Sequence, residues 1–512
     1  MPCRRPSASD EEARPTTRRK RKMTEKFDAQ YDVVVIGGGG SGLSAAVQAA
    51  KDGLTCAVLE KESQLGGSSA FAEGHAAFES DEQIKRGINV SKQEALNAYI
   101  TYSHWRCDQA VVSRFVENAA TTIKKMRDEE GAVYNDVTIT APDQPGELVT
   151  WHLVEGEIAH LLKLLEADAR RRGVDIFLST AASKILRDGS GKITGVIAKD
   201  ADGEDVRLGA KAVVVATGGY AASPAMLNKY GKFKIGERII NAGGPGNTGD
   251  GLTMMKEIGA VENSNIGTMA LFPLMRDKTV TSHVNNAGMQ PYLWVNKYGR
   301  RFSDEAVGLN FGFAGDVTAG LPDAMYWCIL DQNHIDKLVD KGNEVGLGIY
   351  VHNYEKLVNL PTELEADAAD AKRTNVFKGG SIEELAGKIG VKPEVLRTEI
   401  DVYNGYARAG DDKKYHKDQK YLRPYEKGPF YAVKMETGIM VSIGAMKIND
   451  RMQAVDANGE GIPGLYCVGC DAGGLCSEAY QLTIPGTANG FALTSGWLAA
   501  DDIAEKVKAG AL

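Results

Sequence analysis

Residues 31–42 read YDVVVIGGGGSG, and an Ala-rich stretch, LSAAVQAAKDG, follows them directly. A short Val/Ile run ending in glycines is a buried strand that stops at a tight turn. The Ala-rich stretch has helix composition. A second apolar run, within LTCAVLEKE, reaches Glu60, eighteen residues after Gly42. Strand, turn, helix and strand make a βαβ unit, which commits the chain to a parallel sheet covered by helices. The G-x-G-x-x-G spacing at Gly37, Gly39 and Gly42 adds chemistry to the topology. The first glycine makes the turn, the second lets the backbone approach a pyrophosphate, and the third lets helix and strand pack closely. The helix N-terminus then faces phosphates and the acid accepts from a ribose hydroxyl. Gly40, Ser41 and Lys61 belong to the same predicted dinucleotide site.

Further glycine signals follow: LGGSS at Leu65–Ser69, ATGG at Ala216–Gly219 and NTGDG at Asn247–Gly251. Between them, residues 156–173 carry apolar positions at helical spacing, followed by strand-like runs. From about residue 272 to residue 430 the texture is mixed and loop-rich, with charged helical stretches. The last eighty residues return to strand and glycine chemistry and end in a helix. The predicted fold is therefore α/β: a Rossmann-like domain split in sequence, 31–271 and 433–512, with an inserted α+β domain at 272–432. Residues 1–30 read as a disordered basic leader, with Met23 as an alternative start.

Charge and composition exclude several classes. The 512 residues are 43% hydrophobic and carry a formal net charge of −8, which argues against a nucleic-acid binder. No apolar run reaches the ~18–20 residues of a membrane-spanning helix. Seven scattered cysteines make no disulfide framework and suit a reducing, cytoplasmic compartment. The leader's Arg pairs precede no apolar core, so it is not read as an export signal.

The ordered set GGGGSG, Glu60, LGGSS, ATGGY, GNTGDGL, VNKYGRRFSDE and IPGLYCVG resembles the superfamily of FAD-dependent fumarate reductases, flavocytochromes c and 3-ketosteroid dehydrogenases. The resemblance implies non-covalent FAD, no haem and no metal, a cap closing over the flavin, and chemistry beside its N5. It places Gly66, Gly67, Ser68 and Ser69 along the pyrophosphate and flavin, Thr217 and Gly218 nearby, and Asp250 at the ribityl or pyrophosphate region. The loop from Pro485 to Asn489, with Gly486, Thr487 and Ala488 at its centre, would present backbone N–H groups to the flavin ring, and the helix after it would stabilise negative charge there. No second clear dinucleotide fingerprint marks the electron donor, which is left open between NAD(P)H and a redox partner.

The same resemblance makes a fumarate clamp testable by position. The clamp's histidines and arginines and its relay glutamate fall on Phe272, Asn285, Gly288, Leu309 and Val441, and no arginine occurs after Arg451. A dicarboxylate would be buried without a cation. Phe272, Leu309 and Val441 are instead expected to line a pocket for a small, neutral, apolar ring substrate. A 3-ketosteroid is one alternative, although Ile484 replaces the tyrosine expected before Pro485-Gly486. An FAD protein that only transfers electrons is another; a filled pocket would favour it. Glu478, Tyr480 and His75 are the candidate acids. Arg301 and Glu305 read as a structural ion pair.

The stretch GLYCVGCDAGG holds Cys467 and Cys470 in a CxxC. Haem attachment would need a histidine where Asp471 stands, and no histidine follows to complete a zinc site. Cys467 is expected to be a small buried strand residue. Cys470 and Asp471 are expected at the flavin, with Asp471 bonding the ribityl chain.

Overall fold

The computed structural model describes residues 26–140, 146–347, 351–477 and 479–512. The expected leader through residue 25 and the candidate acid Glu478 lie outside the described residues. The first strand, Ala29–Ile36, starts two residues inside the expected leader, because Ala29 and Gln30 pair with Leu208 and Gly209.

Three sheets organise the described residues. The largest has the central order Gln453–Val455, Gly461–Cys467, Asp205–Val215, Ala29–Ile36, Cys56–Leu59 and Asp175–Phe177. The last five are mutually parallel, and an antiparallel pair, Ala181–Arg187 and Ile193–Lys199, attaches to Asp205–Val215. Leu465 pairs with Val213, so the C-terminal segment completes a sheet begun more than four hundred residues earlier. The fold is the split α/β arrangement expected from the βαβ unit.

Two helices seal one face of this sheet. Gly40–Lys51 and Thr487–Lys508 cross closely because Gly496 has no side chain: a Cβ there would lie 2.3 Å from the Ser41 carbonyl. Ser44 Oγ donates to the Leu493 carbonyl across the same contact at 2.7 Å. No helix among the described residues is long and apolar enough to cross a membrane.

The second sheet centres on Phe430–Ile443, which pairs with Ile240–Asn241, Thr268–Leu274, Met325–Leu330 and Val376–Gly379; Leu293–Val295 extends it. The positions 272 and 432 fall inside two of these strands. Arg301 makes a bidentate pair with Glu305, both bonds 2.7 Å, and also meets Asp412 at 2.7 Å. Lys417 Nζ reaches Glu305 at 3.1 Å in the same buried cluster. It lines neither cavity described below, so its geometry is that of a core ion cluster; breaking one such pair costs about 3–5 kcal/mol. A three-stranded sheet, Gly74–Ala76, Trp151–Val154 and Tyr134–Thr138, lies against the loop before the C-terminal helix, where Ala76 N–H donates to the Gly486 carbonyl at 2.9 Å.

Candidate active site

The glycine turn packs as its spacing requires. Gly37 has φ +106°, and a Cβ on Gly42 would come 1.9 Å from the Gly37 carbonyl. Gly39 is the open one: the nearest atom to its missing Cβ is the Gly66 carbonyl at 3.6 Å. Glu60 ties the turn to the next strand, accepting from Gly38 N–H at 2.7 Å and Glu62 N–H at 2.8 Å. Around this turn lies a cavity of about 220 Å³ lined by Gly37, Gly39, Gly40, Ser41, Glu60, Lys61, Gly67, Ser68, Ser69, Thr217, Gly218, Asp250 and Cys470. Lys61 Nζ bridges Thr248 and Asp250, both at 2.6 Å, on its rim. Ser68 Oγ accepts from Gly244 N–H at 2.8 Å and Asn247 Nδ2 at 2.7 Å, which pins the LGGSS turn to the NTGDG loop.

A second cavity, about 260 Å³, adjoins the first and shares Ser68, Ser69, Phe71, Cys470 and Ala492 with it. Its other walls include Phe272, Phe311, Leu347, Met440, Val441, Leu482 and Tyr480. No Arg, Lys or His is among the described lining residues. The Tyr480 hydroxyl accepts from Ala488 N–H at 3.1 Å, and burial pushes its phenol well above the ordinary range. Cys470 sits at the junction of the cavities, its thiol pushed up to about 12 by burial and then by Asp471, so it stays protonated. The space is open rather than filled.

Several expected positions turn elsewhere. Asp471 does not line either cavity. Its fully buried carboxylate accepts from Thr217 N–H (2.5 Å) and Oγ1 (2.9 Å), Gly218 N–H (3.1 Å) and Gly219 N–H (3.0 Å), which leaves it to hold the ATGG turn rather than a ribityl chain. Burial raises its carboxyl above the ordinary value, and those bonds offset part of the rise. Thr487 faces the core, hydrogen-bonded to Tyr99 and the Ile484 carbonyl, each at 2.6 Å. Gly42 and Gly66 shape the turns without lining the cavity. Leu309 ends a short 3-10 helix away from the second cavity; Phe311, two residues on, takes that wall. His75 is fully buried between Tyr134, at 2.7 Å, and His152, and reaches neither cavity. Cys467 ends a strand with no exposure, as expected.

Asn489 was missed as a side chain. It is 7% exposed, lines the second cavity, and neither its Oδ1 nor its Nδ2 has a partner. The sequence placed it at the end of the loop expected to face the flavin, for its backbone rather than its amide.

A sequence profile of the FAD binding domain family matches residues 32–483. This chain belongs to that FAD-binding family. A vinyl phenol reductase of Lactiplantibacillus plantarum is 34% identical over 483 residues, covering 93% of this chain and 96% of its own. An NADH:fumarate oxidoreductase of Klebsiella pneumoniae is 27% identical over 87% of this chain, which spans 45% of that relative's length. Among solved structures, a 3-ketosteroid delta1-dehydrogenase from Sterolibacterium denitrificans superposes with a TM-score of 0.75 at 20% identity, covering 93% of this chain and 100% of the other. A flavocytochrome c3 fumarate reductase gives 0.73 at 23% identity, over 94% and 79%. Those two likenesses show the fold.

The FAD-binding protein is thus an FAD-dependent oxidoreductase, and its residues fit the cofactor. The open Gly39 backbone at the N-terminus of Gly40–Lys51 suits a pyrophosphate. The orphaned Asn489 amide and the N-terminus of Thr487–Lys508 suit a polar ring edge that gains electron density on reduction.

Proposed function

We propose that this oxidoreductase reduces a neutral, largely apolar ring compound bearing a phenol, at an alkene or benzylic C–O bond, and that it does not reduce fumarate. The supporting observation is the second cavity: it adjoins the FAD cavity at Ser68, Ser69 and Cys470 and has apolar walls without a facing Arg, Lys or His among the described lining residues. A dicarboxylate placed there would pay for burial of unpaired charge. FAD, when bound and reduced, supplies hydride from N5. The chain excludes water, orients the ring and supplies a proton, a role we assign to Tyr480.

The vinyl phenol reductase relative supports a phenolic substrate class. Within it, the specific reaction proposed is reductive dehydroxylation of tetrahydrodaidzein to equol, which removes a benzylic hydroxyl from a neutral isoflavonoid. Residues 31–271 and 433–512 form the cofactor domain in this reading, and 272–432 the cap. The protein works in the cytoplasm and takes electrons from NAD(P)H or a redox partner.

Anaerobic stopped flow of the chemically reduced protein tests the proposal. Mixing with 4-vinylphenol or tetrahydrodaidzein should restore the oxidised flavin spectrum, whereas fumarate should not. Rapid reoxidation by fumarate overturns the reading. Reoxidation by a 3-ketosteroid alone would replace the phenolic class with a steroid.

A further inference from the structure

The helix Thr487–Lys508 starts beside the junction of the two cavities with few groups to answer its positive end. Its N-cap, Gly486, has no side chain to accept from the first N–H groups, and no acid stands in the first turn. Ala488 N–H goes to the Tyr480 hydroxyl at 3.1 Å, and Gly490 N–H to the Gly486 carbonyl at 2.9 Å. Between them stands Asn489. It is 7% exposed, lines the second cavity, and its Oδ1 and Nδ2 meet no hydrogen-bond partner among the described residues. One buried polar group left unmet costs about 1–3 kcal/mol. An amide with both ends open therefore marks a place for a ligand.

The position of the amide indicates which ligand. A Cβ built on Gly40 would lie 3.4 Å from Asn489 Oδ1 and 2.6 Å from Ser69 Oγ. Gly40 and Ser69 both line the cofactor cavity, so the amide reaches the cofactor side of the junction. A carboxamide offers a donor and an acceptor side by side. The pyrimidine edge of an isoalloxazine offers the complement, ring carbonyls beside an N3–H.

We infer that the Asn489 side chain hydrogen-bonds the pyrimidine edge of the flavin and raises its reduction potential. Two-electron reduction leaves negative charge over N1 and the adjacent carbonyl. An Nδ2–H bond to that carbonyl strengthens on reduction, because a hydrogen bond to a charged acceptor is roughly twice as strong as a neutral one. The positive end of the helix acts in the same direction. No Arg, Lys or His among the described lining residues of the second cavity could replace the amide. Lys61, on the rim of the first, is held by Thr248 and Asp250. The inference rests on FAD binding alone and holds whichever substrate the second cavity takes.

The midpoint potential of the holoprotein, measured anaerobically against a reference dye with no substrate present, tests it. Asn489→Leu keeps the branching and removes both hydrogen bonds. It should weaken binding of reduced relative to oxidised FAD by about tenfold or more, a fall of about 30 mV or more for the two-electron couple. Asn489→Asp keeps the shape, replaces the donor with negative charge, and should lower the potential further; if Asn489→Leu fails to load FAD, this variant carries the test. A wild-type potential in either loaded variant would overturn the inference. If calorimetry on the oxidised holoprotein then showed 4-ethylphenol binding lost as well, the amide would belong to the substrate instead. Failure of every neutral ring compound to reoxidise the reduced wild type would defeat the proposed function and leave these potentials unaffected.

Discussion

The cavity of about 220 Å³ is walled largely by glycine turns and short polar side chains, whereas its neighbour of about 260 Å³ is walled largely by apolar side chains from segments far apart in the chain. A backbone-lined site depends on where Cβ atoms are missing, so one methyl group can close it. A side-chain-lined site depends on which residues the fold brings together, so it can change its ligand without changing the fold. That contrast explains how a chain with an intact cofactor frame lacks the cationic lining that a dicarboxylate would need.

The largest effect should come from Gly42→Val. Its Cβ would press on the Gly37 carbonyl at 1.9 Å, a backbone atom with nowhere to move. We expect loss of FAD, read as the flavin-to-protein absorbance ratio, and a stability drop of about 3 kcal/mol in urea unfolding. Asp471→Ala should cost about 2–3 kcal/mol, because Thr217, Gly218 and Gly219 lose their buried acceptor. It should also weaken FAD binding through the ATGG turn; unchanged stability would mean that the turn holds itself.

Acid should strain the second cavity before the first. Burial holds His75 at about 3 and His152 at about 4, below an unfolded value of about 6.5. Between those limits the unfolded chain binds more protons. The stability is therefore complete above about pH 6.5 and declines as pH falls toward 4, by up to about 1.4 kcal/mol per unit for each histidine. His152 bonds the Thr150 carbonyl at 2.7 Å, and Thr150 Oγ1 donates to the Pro485 carbonyl at 3.1 Å, directly behind the second cavity's wall. Near pH 5 the KM for a ring substrate should rise while the bound-flavin spectrum is unchanged. His152→Gln should flatten the pH dependence of melting.

The smallest pair of effects separates two neighbouring residues. Phe311→Ala removes a ring from the cavity wall and should raise KM by about tenfold, equivalent to part of the ~1.5–3 kcal/mol of a buried aromatic side chain, with FAD content unchanged. Leu309→Ala, two positions earlier and off the wall, should change KM by less than about twofold. The reverse order would return Leu309 to the pocket.

The cofactor site was legible because its constraints are local. A turn with φ +106° at Gly37, close packing at Gly42 and a helix start at Gly40 are all encoded within a dozen residues. Leu309 failed as a pocket residue because the side-chain direction in a 3-10 turn leading into a helix does not follow from spacing. His75 failed because its strand buries the ring between Tyr134 and His152 while its neighbour Gly74 lines the cavity. Asp471 was assigned to the right strand end, but the ATGG turn engages both of its carboxylate oxygens and it lines neither cavity.

The amino-acid sequence by itself determined the α/β frame, its split across the chain, and a backbone-lined cofactor site, because turns, caps and alternation act over a few residues. Only the tertiary structure decided what faces the second cavity. Phe272, Phe311, Val441, Tyr480 and Glu73 come from different elements, and their meeting depends on how the two larger sheets and the small one pack. Packing of that kind is set by the whole chain's burial of apolar surface, which no short motif records.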